Sequence, residues 1–224
     1  MMPRHEGRTV KAFIILRDRV TYARRCYAAL SAAGLDVHVV DHASTWPAAL
    51  SWLAALETPV LRRGENAYPW QLWTWGPFRD LMEHDPEPYV VTDPDVVPSD
   101  DCPPDWLSRL RAALAGADRV KAGLGLRLDR LPDDAAAKAV AGYESIFWED
   151  EQEPGVYRAN VDTTLALYKP FTEYPLFALG PAVRLGPPYV ADHLAWYERG
   201  PLSPELAWYR AHADPGHEVA RSVR

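Results

Sequence analysis

Short apolar runs alternate along the chain with segments whose apolar residues recur at helical spacing. Residues 12–16 (AFIIL) are continuously apolar, as in a strand covered on both faces. Over 21–33 the large apolar side chains fall at Tyr22, Cys26, Tyr27 and Leu30, with Thr21 placed as a helix cap and Gly34 just past the end. Residues 37–40 (VHVV) predict a second strand, and 46–56 a helix capped by Ser44 or Thr45. A weak third strand follows at 59–61, then an irregular stretch over 62–77 that holds Trp70, Trp73 and Trp75, then a short helix over 78–84. Residues 89–92 (YVVT) predict a fourth strand, and a helix starts at Pro103 or Pro104, where proline is tolerated, and runs to about 115. Beyond it the pattern predicts a strand at 120–124, a helical stretch from 133 to 148 and a strand at 164–168. From Pro170 onward dense proline and aromatic residues predict an ordered lid over a site, ending in a short helix near 204–212.

Strand and helix alternate through roughly the first half, which argues for an α/β layer fold with a central, mostly parallel sheet flanked by helices. The chain has 224 residues, 48% of them hydrophobic and 25% charged, which is a globular composition sized for one large domain or two small ones. Neither an internal repeat nor a low-complexity linker divides it, so one domain over 1–224 is expected. The 24 Lys+Arg against 31 Asp+Glu give a net charge of −7, which argues against a nucleic-acid partner, since that needs a basic stripe. No apolar run reaches the ~20 residues of a membrane span, so no transmembrane segment is expected. The start of the chain lacks the features of a secretory signal. Cys26 and Cys102 make neither a disulfide framework nor a zinc cluster. Together these point to the cytoplasm, with peripheral contact to a membrane left open.

The string Tyr89-Val-Val-Thr-Asp-Pro-Asp-Val-Val-Pro98 carries the most chemistry. An apolar strand runs straight into Asp93-Pro94-Asp95. In extended chain, positions i and i+2 project to one side, and Pro94 stiffens the link. Two carboxylates converging at a strand end repel unless a cation sits between them, and Mn2+ or Mg2+ suits such a site. The same tripeptide is also good turn chemistry. Ligands of open α/β sheets bind outside the carboxyl ends of the strands, which favours the metal reading.

Several strings in order resemble a GT-A-type glycosyltransferase, close to the family-2-like nucleotide-diphospho-sugar transferases. IILRDRVTYARRCYAAL resembles the opening strand, turn and helix, VHVVDHAST the element after the second strand, and VLRRGENAYPW the third-strand loop. YVVTDPDVVP resembles the D-x-D strand, and VKAGLGLRLDRLPD, YESIFW, VDTTLALY and PPYVADHLAWY resemble later blocks of one bacterial subfamily. The resemblance spans about 12–212. It implies neighbouring first and fourth strands, a nucleotide-binding half over about 10–100, and an acceptor and lid half over about 101–213.

By this resemblance, Asp93 and Asp95 hold a divalent cation (Mn2+ or Mg2+) on the diphosphate of a nucleotide-sugar donor, with a UDP-sugar expected and Asp93 alternatively facing the ribose. His193 matches a late histidine that supplies a third metal ligand; its alternative is a hydrogen bond within an aromatic cluster. Asp192 stands where the subfamily often has arginine, so no phosphate contact is carried over to it. Asp41 would meet the base, Arg17 the base or phosphates, and Asn66 the base or ribose. The alternatives are a turn cap for Asp41, a pairing with Asp18 for Arg17 and a loop-shaping role for Asn66. Asp162 matches the acidic position facing the acceptor and is the candidate general base, or else a turn cap; Glu144 is a second candidate base, or a solvated helix charge. Trp70 is the candidate acceptor contact among the three tryptophans. The expected reaction moves a sugar to a hydroxyl of an acceptor that is a glycan, a lipid-linked or a small molecule. The rivals are a sugar nucleotidyltransferase, against which the glycine-free Arg17-Asp18-Arg19-Val20 turn counts, and a non-catalytic nucleotide-sugar-binding module.

Overall fold

The computed structural model describes residues 9–116, 118–170 and 181–212. Strand and helix alternate first as β1 (Lys11–Leu16), α1 (Val20–Ala32), β2 (Asp36–His42), α2 (Pro47–Ala55) and β3 (Val60–Arg63). A 3-10 helix (Pro69–Thr74) leads into α3 (Gly76–His84) and β4 (Tyr89–Thr92). The second half contains β5 (Val96–Pro98), α4 (Trp106–Leu114), β6 (Lys121–Leu126), α5 (Ala135–Glu144), β7 (Glu151–Glu153), β8 (Val156–Arg158), β9 (Ala166–Tyr168), β10 (Ala182–His193) and α6 (Pro204–His212).

The ten strands form one sheet in the order β3-β2-β1-β4-β9-β6-β10-β8-β7, with β5 paired to β10. β3, β2, β1 and β4 are mutually parallel. β9 lies antiparallel between β4 and β6, and β6 and β10 are parallel, so both point the same way as β1. β1 has β2 on one side and β4 on the other. The strand order therefore reverses beside β1, and a crevice opens at the carboxyl ends of β1 and β4.

Alternation along β1 splits the core in two. Ala12 and Ile14 pack with Cys26 and Leu30 of α1 and Leu110 of α4 on one face. Phe13 and Ile15 pack with Leu72, Trp73, Phe78, Tyr89 and Tyr168 on the other. Cys26 and Leu30 are one helical turn apart, fully buried, and Gly34 at φ 80° ends the helix as its position past Ala33 requires. Thr21 does not cap α1, which begins one residue earlier. Its N–H and hydroxyl instead reach the Glu205 carboxylate of α6 at 3.0 and 2.9 Å.

Two parts of the sheet depart from the sequence expectation. Residues 182–193 are an interior strand rather than a lid. Gly186, Pro187, Pro188 and Tyr189 occupy a bulge between Leu185 and Val190, where β10 slips its register with β6, so the prolines remove no ladder bond. Residues 171–180 of the expected lid lie outside the described residues. The β7–β8 hairpin was invisible because its strands are short and β7 is wholly charged or polar.

Gly125 of β6 sits where a side chain cannot: a Cβ there would lie 2.3 Å from the Trp148 ring and 2.6 Å from the Leu185 carbonyl oxygen. Gly125→Ala is expected to cost about 1–3 kcal/mol, read as a lowered midpoint in urea unfolding at unchanged slope.

Candidate active site

β4 ends at Thr92 and the chain runs into Asp93-Pro94-Asp95 at the crevice. β5 then pairs antiparallel with the end of β10, Val96 opposite His193 and Val97 opposite Asp192. That register draws His193 to Asp95, with the imidazole Nδ1 3.7 Å from a carboxylate oxygen. The backbone is closed there as well, since Leu194 N–H donates to the Asp95 carbonyl at 2.7 Å. The His193 ring lies flat on Trp196, at 4.5 Å between centroids and 3° between planes. Its Nδ1 is buried and, among the described residues, has no hydrogen-bond partner.

Asp162 and Thr163 precede β9, which neighbours β4 in the sheet, and so arrive at the same rim. The Thr163 hydroxyl lies 2.8 Å from both Asp93 carboxylate oxygens and donates to them. Burial, followed by the charges of Asp95 and Asp162, pushes the Asp93 carboxyl up to about 8 against the opposing pull of the Thr163 hydrogen bond. Asp162 itself is exposed.

The donor set fits a divalent cation. Carboxylates from Asp93 and Asp95 repel each other, and an imidazole nitrogen without a partner stands beside Asp95. Hard oxygen ligands with one imidazole suit Mn2+, and less so Mg2+. Among the described residues no group of three His, Cys, Asp or Glu is arranged to hold a metal ion by itself. Further ligands would have to come from a bound diphosphate and water.

The loops after β1 and β2 interlock at the other side of the crevice. Asp18, at φ 59°, accepts the N–H groups of Thr45 and Trp46, the two residues that lead into α2. Ser44 Oγ accepts the Asp18 N–H at 2.9 Å. Arg17 donates to the carbonyls of His42 (2.9 Å) and Ala43, and its Nε lies 3.3 Å from Asp18. Asp41 is buried; one oxygen accepts Ser44 N–H at 3.0 Å and the other faces Arg62 at 3.2 Å. Asn66 is half-buried in the loop after β3. Of the tryptophans, Trp73 belongs to the core and donates to the Tyr89 hydroxyl at 2.8 Å, whereas Trp70 is half-buried and stacks on exposed Tyr68. The structure thus brings Asp93, Asp95, Asp162 and His193 to one rim, with Arg17 and Asp41 engaged in the neighbouring loops. Glu144 is elsewhere: in place of a solvated helix charge, it is buried against Arg184 at 2.6 Å.

Sequence reasoning passed over Thr163 and Arg19. Thr163 directly follows Asp162, and a hydroxyl beside an acidic candidate was the available signal. Arg19 is buried between the rings of Tyr22 and Tyr209 and pairs with Glu198 at 3.0 Å and Glu205 at 3.7 Å. Nothing local announces those partners, which lie some 180 residues further along the chain.

The central, mostly parallel sheet and its flanking helices have the GT-A fold. The chain is similar to a mannosyltransferase from Pyrobaculum calidifontis in complex with GDP-Man and Mn2+, at a TM-score of 0.52 and 15% identity, covering 90% of this chain and 59% of that one. It is also similar to GalNAc-T7 with UDP, GalNAc and Mn2+, at a TM-score of 0.53 and 9% identity, covering 84% of this chain and 44% of that one. The chain thus spans about half the length of these structures. No family model and no curated protein sequence matches it.

Proposed function

We propose that this protein is a metal-dependent glycosyltransferase that moves a sugar from a nucleotide-diphosphate donor, a UDP-sugar by preference, to an acceptor hydroxyl. The observation that carries the reading is the convergence of Asp93, Asp95, Asp162 and His193 on the crevice of a GT-A sheet. Asp93 and Asp95 would hold the cation together with oxygens of the bound diphosphate and water, with His193 beside Asp95 as the candidate further ligand. Once bound, a divalent cation supplies positive charge against the departing diphosphate. Asp162 takes the proton of the acceptor hydroxyl as its oxygen bonds to the anomeric carbon, and the carbon–oxygen bond to the diphosphate breaks with its electron pair on the nucleotide. Arg17, Asp41 and Asn66, at or after the ends of β1, β2 and β3, would meet the base, ribose or phosphates of the donor, and Trp70 would offer a ring face to a sugar. A single domain over 1–224 in the cytoplasm fits this work. No described helix is long and apolar enough to cross a membrane.

Sugar nucleotidyltransfer is disfavoured by the turn after β1. It has no glycine to form the phosphate-cradling loop that such chemistry uses.

Calorimetry with UDP tests the reading. Binding is expected in the presence of Mn2+ and to weaken at least about tenfold without it, and a bound donor should raise the melting temperature in the same buffer. Metal-indifferent UDP binding with no donor hydrolysis would instead mark a non-catalytic binding module.

A further inference from the structure

In the segment that leads into β9, the three successive carbonyls of residues 160–162 are each gripped by a different side chain. Arg184 of β10 donates from Nε to the Asn160 carbonyl at 2.7 Å. Lys121, the first residue of β6, donates from Nζ to the Val161 carbonyl. The hydroxyl of Tyr168 at the end of β9 donates to the Asp162 carbonyl at 3.2 Å. Lys121, Val161 and Tyr168 are fully buried, and Arg184 is 3% exposed. The next side chain, Thr163, donates to Asp93. The segment is therefore fixed residue by residue from inside the sheet up to the rim.

Two of the three donors are cations, and a neutral donor would satisfy a carbonyl. The cations have counter-charges in place. Arg184 is paired with buried Glu144 and lies 4.0 Å over the Phe147 ring. Burial pulls the Lys121 ammonium down to about 8 against the opposing pull of the Asp162 charge, and it stands 5.9 Å over the Tyr168 ring. Val161 is itself wedged against β6: a Cβ on Gly123 would come within 2.8 Å of it. Such a segment has little room to shift.

We propose that Lys121, Tyr168 and Arg184 are positioning residues that hold the carbonyls of Asn160, Val161 and Asp162, so that the Asp162 carboxylate stands at the rim beside Asp93. The inference rests on the glycosyl-transfer reading, in which Asp162 receives the acceptor proton. A general base misplaced by about 1 Å can lose about a hundredfold in rate while the binding of the other substrate is untouched. These residues therefore act on the chemical step and not on donor capture.

The test compares Lys121→Met, Arg184→Lys, Arg184→Met and Tyr168→Phe, each alone and combined with Asp162→Asn, measuring kcat for transfer and KM for the UDP-sugar. Lys121→Met is expected to lower kcat about tenfold or more, and Tyr168→Phe about threefold to tenfold, with donor KM changed by less than about twofold. Arg184→Lys keeps the charge opposite Glu144 and is expected to retain more activity than Arg184→Met. In the Asp162→Asn background the same changes should cost less than about twofold, because residues acting through one group do not add. Losses that multiply in that background, or a donor KM that rises with the fall in kcat, overturn the proposal. If Lys121→Met fails to fold, Tyr168→Phe decides, since it removes one oxygen and keeps the ring packing. Undiminished transfer by Asp162→Asn alone would instead remove the general-base reading, and this proposal with it.

Discussion

Asp95→Ala is expected to lower metal-dependent turnover of a nucleotide-sugar donor by about a hundredfold to a thousandfold, the size of effect seen when one preorganised electrostatic group is removed from a site. The change should leave the fold intact. The Asp95 side chain is 17% exposed and faces His193 across 3.7 Å, while the bond that ties it to β10 runs through its backbone carbonyl. Alanine keeps that carbonyl. Removing one of two repelling carboxylates also relieves Asp93, whose ionisation Asp95 opposes. The melting temperature should therefore hold steady or rise while activity falls, and Mn2+ should no longer strengthen UDP binding in calorimetry. Wild-type turnover by this variant would remove the metal role of the Asp93–Asp95 pair. The result is readable because stability and activity are expected to move independently.

Asp162→Asn is expected to lower transfer by about a hundredfold to ten-thousandfold, the usual contribution of a positioned general base, with donor affinity changed by less than about twofold. Asparagine has nearly the same shape and keeps the backbone carbonyl that Tyr168 holds. It cannot accept the hydroxyl proton. The change also removes the charge that favours the buried Lys121 ammonium, so the melting temperature is to be read beside the rate. Single-turnover measurements with donor alone and with acceptor present separate the outcomes. Slow hydrolysis of donor should survive while transfer is lost. Equal losses in donor binding and in transfer would place Asp162 among the donor contacts.

The half of the fold that follows simple periodicity was legible in the chain. AFIIL, VHVV and YVVT are short, mostly apolar runs that form buried strands, and α1 shows its buried face through Cys26 and Leu30. The Asp93–Asp95 pair could be read because its neighbours in sequence are also its neighbours in space. What could not be read depends on contacts between distant segments. β10 holds two adjacent prolines, which normally argue against an interior strand, and only the bulge opposite β6 explains how they are carried. β5 is a strand because β10 lies beside it, not because three residues have a pattern. Arg184 and Lys121 look like errors in apolar strands until Glu144 and the 160–162 carbonyls are set against them. Arg17 and Asp41 were singled out as ligand contacts, and each also has work within the protein, on the carbonyls of 42–43 and on Ser44 N–H. A local reading finds where charge gathers, but not which of those charges the chain has already neutralised.

β10 joins two otherwise separate parts of the site. Arg184 near its beginning grips the segment that ends in Asp162, and His193 at its end abuts Asp95, with the register slip between Leu185 and Val190 separating them. The slip acts as a spacer that sets the phase of one contact against the other. Deleting a single residue from 186–189 would turn the imidazole toward the opposite face while leaving the arginine in place. Both flanks of the crevice are thus gauged along one continuous stretch of backbone, and an insertion or deletion there should be far less tolerated than its exposed, proline-rich composition suggests.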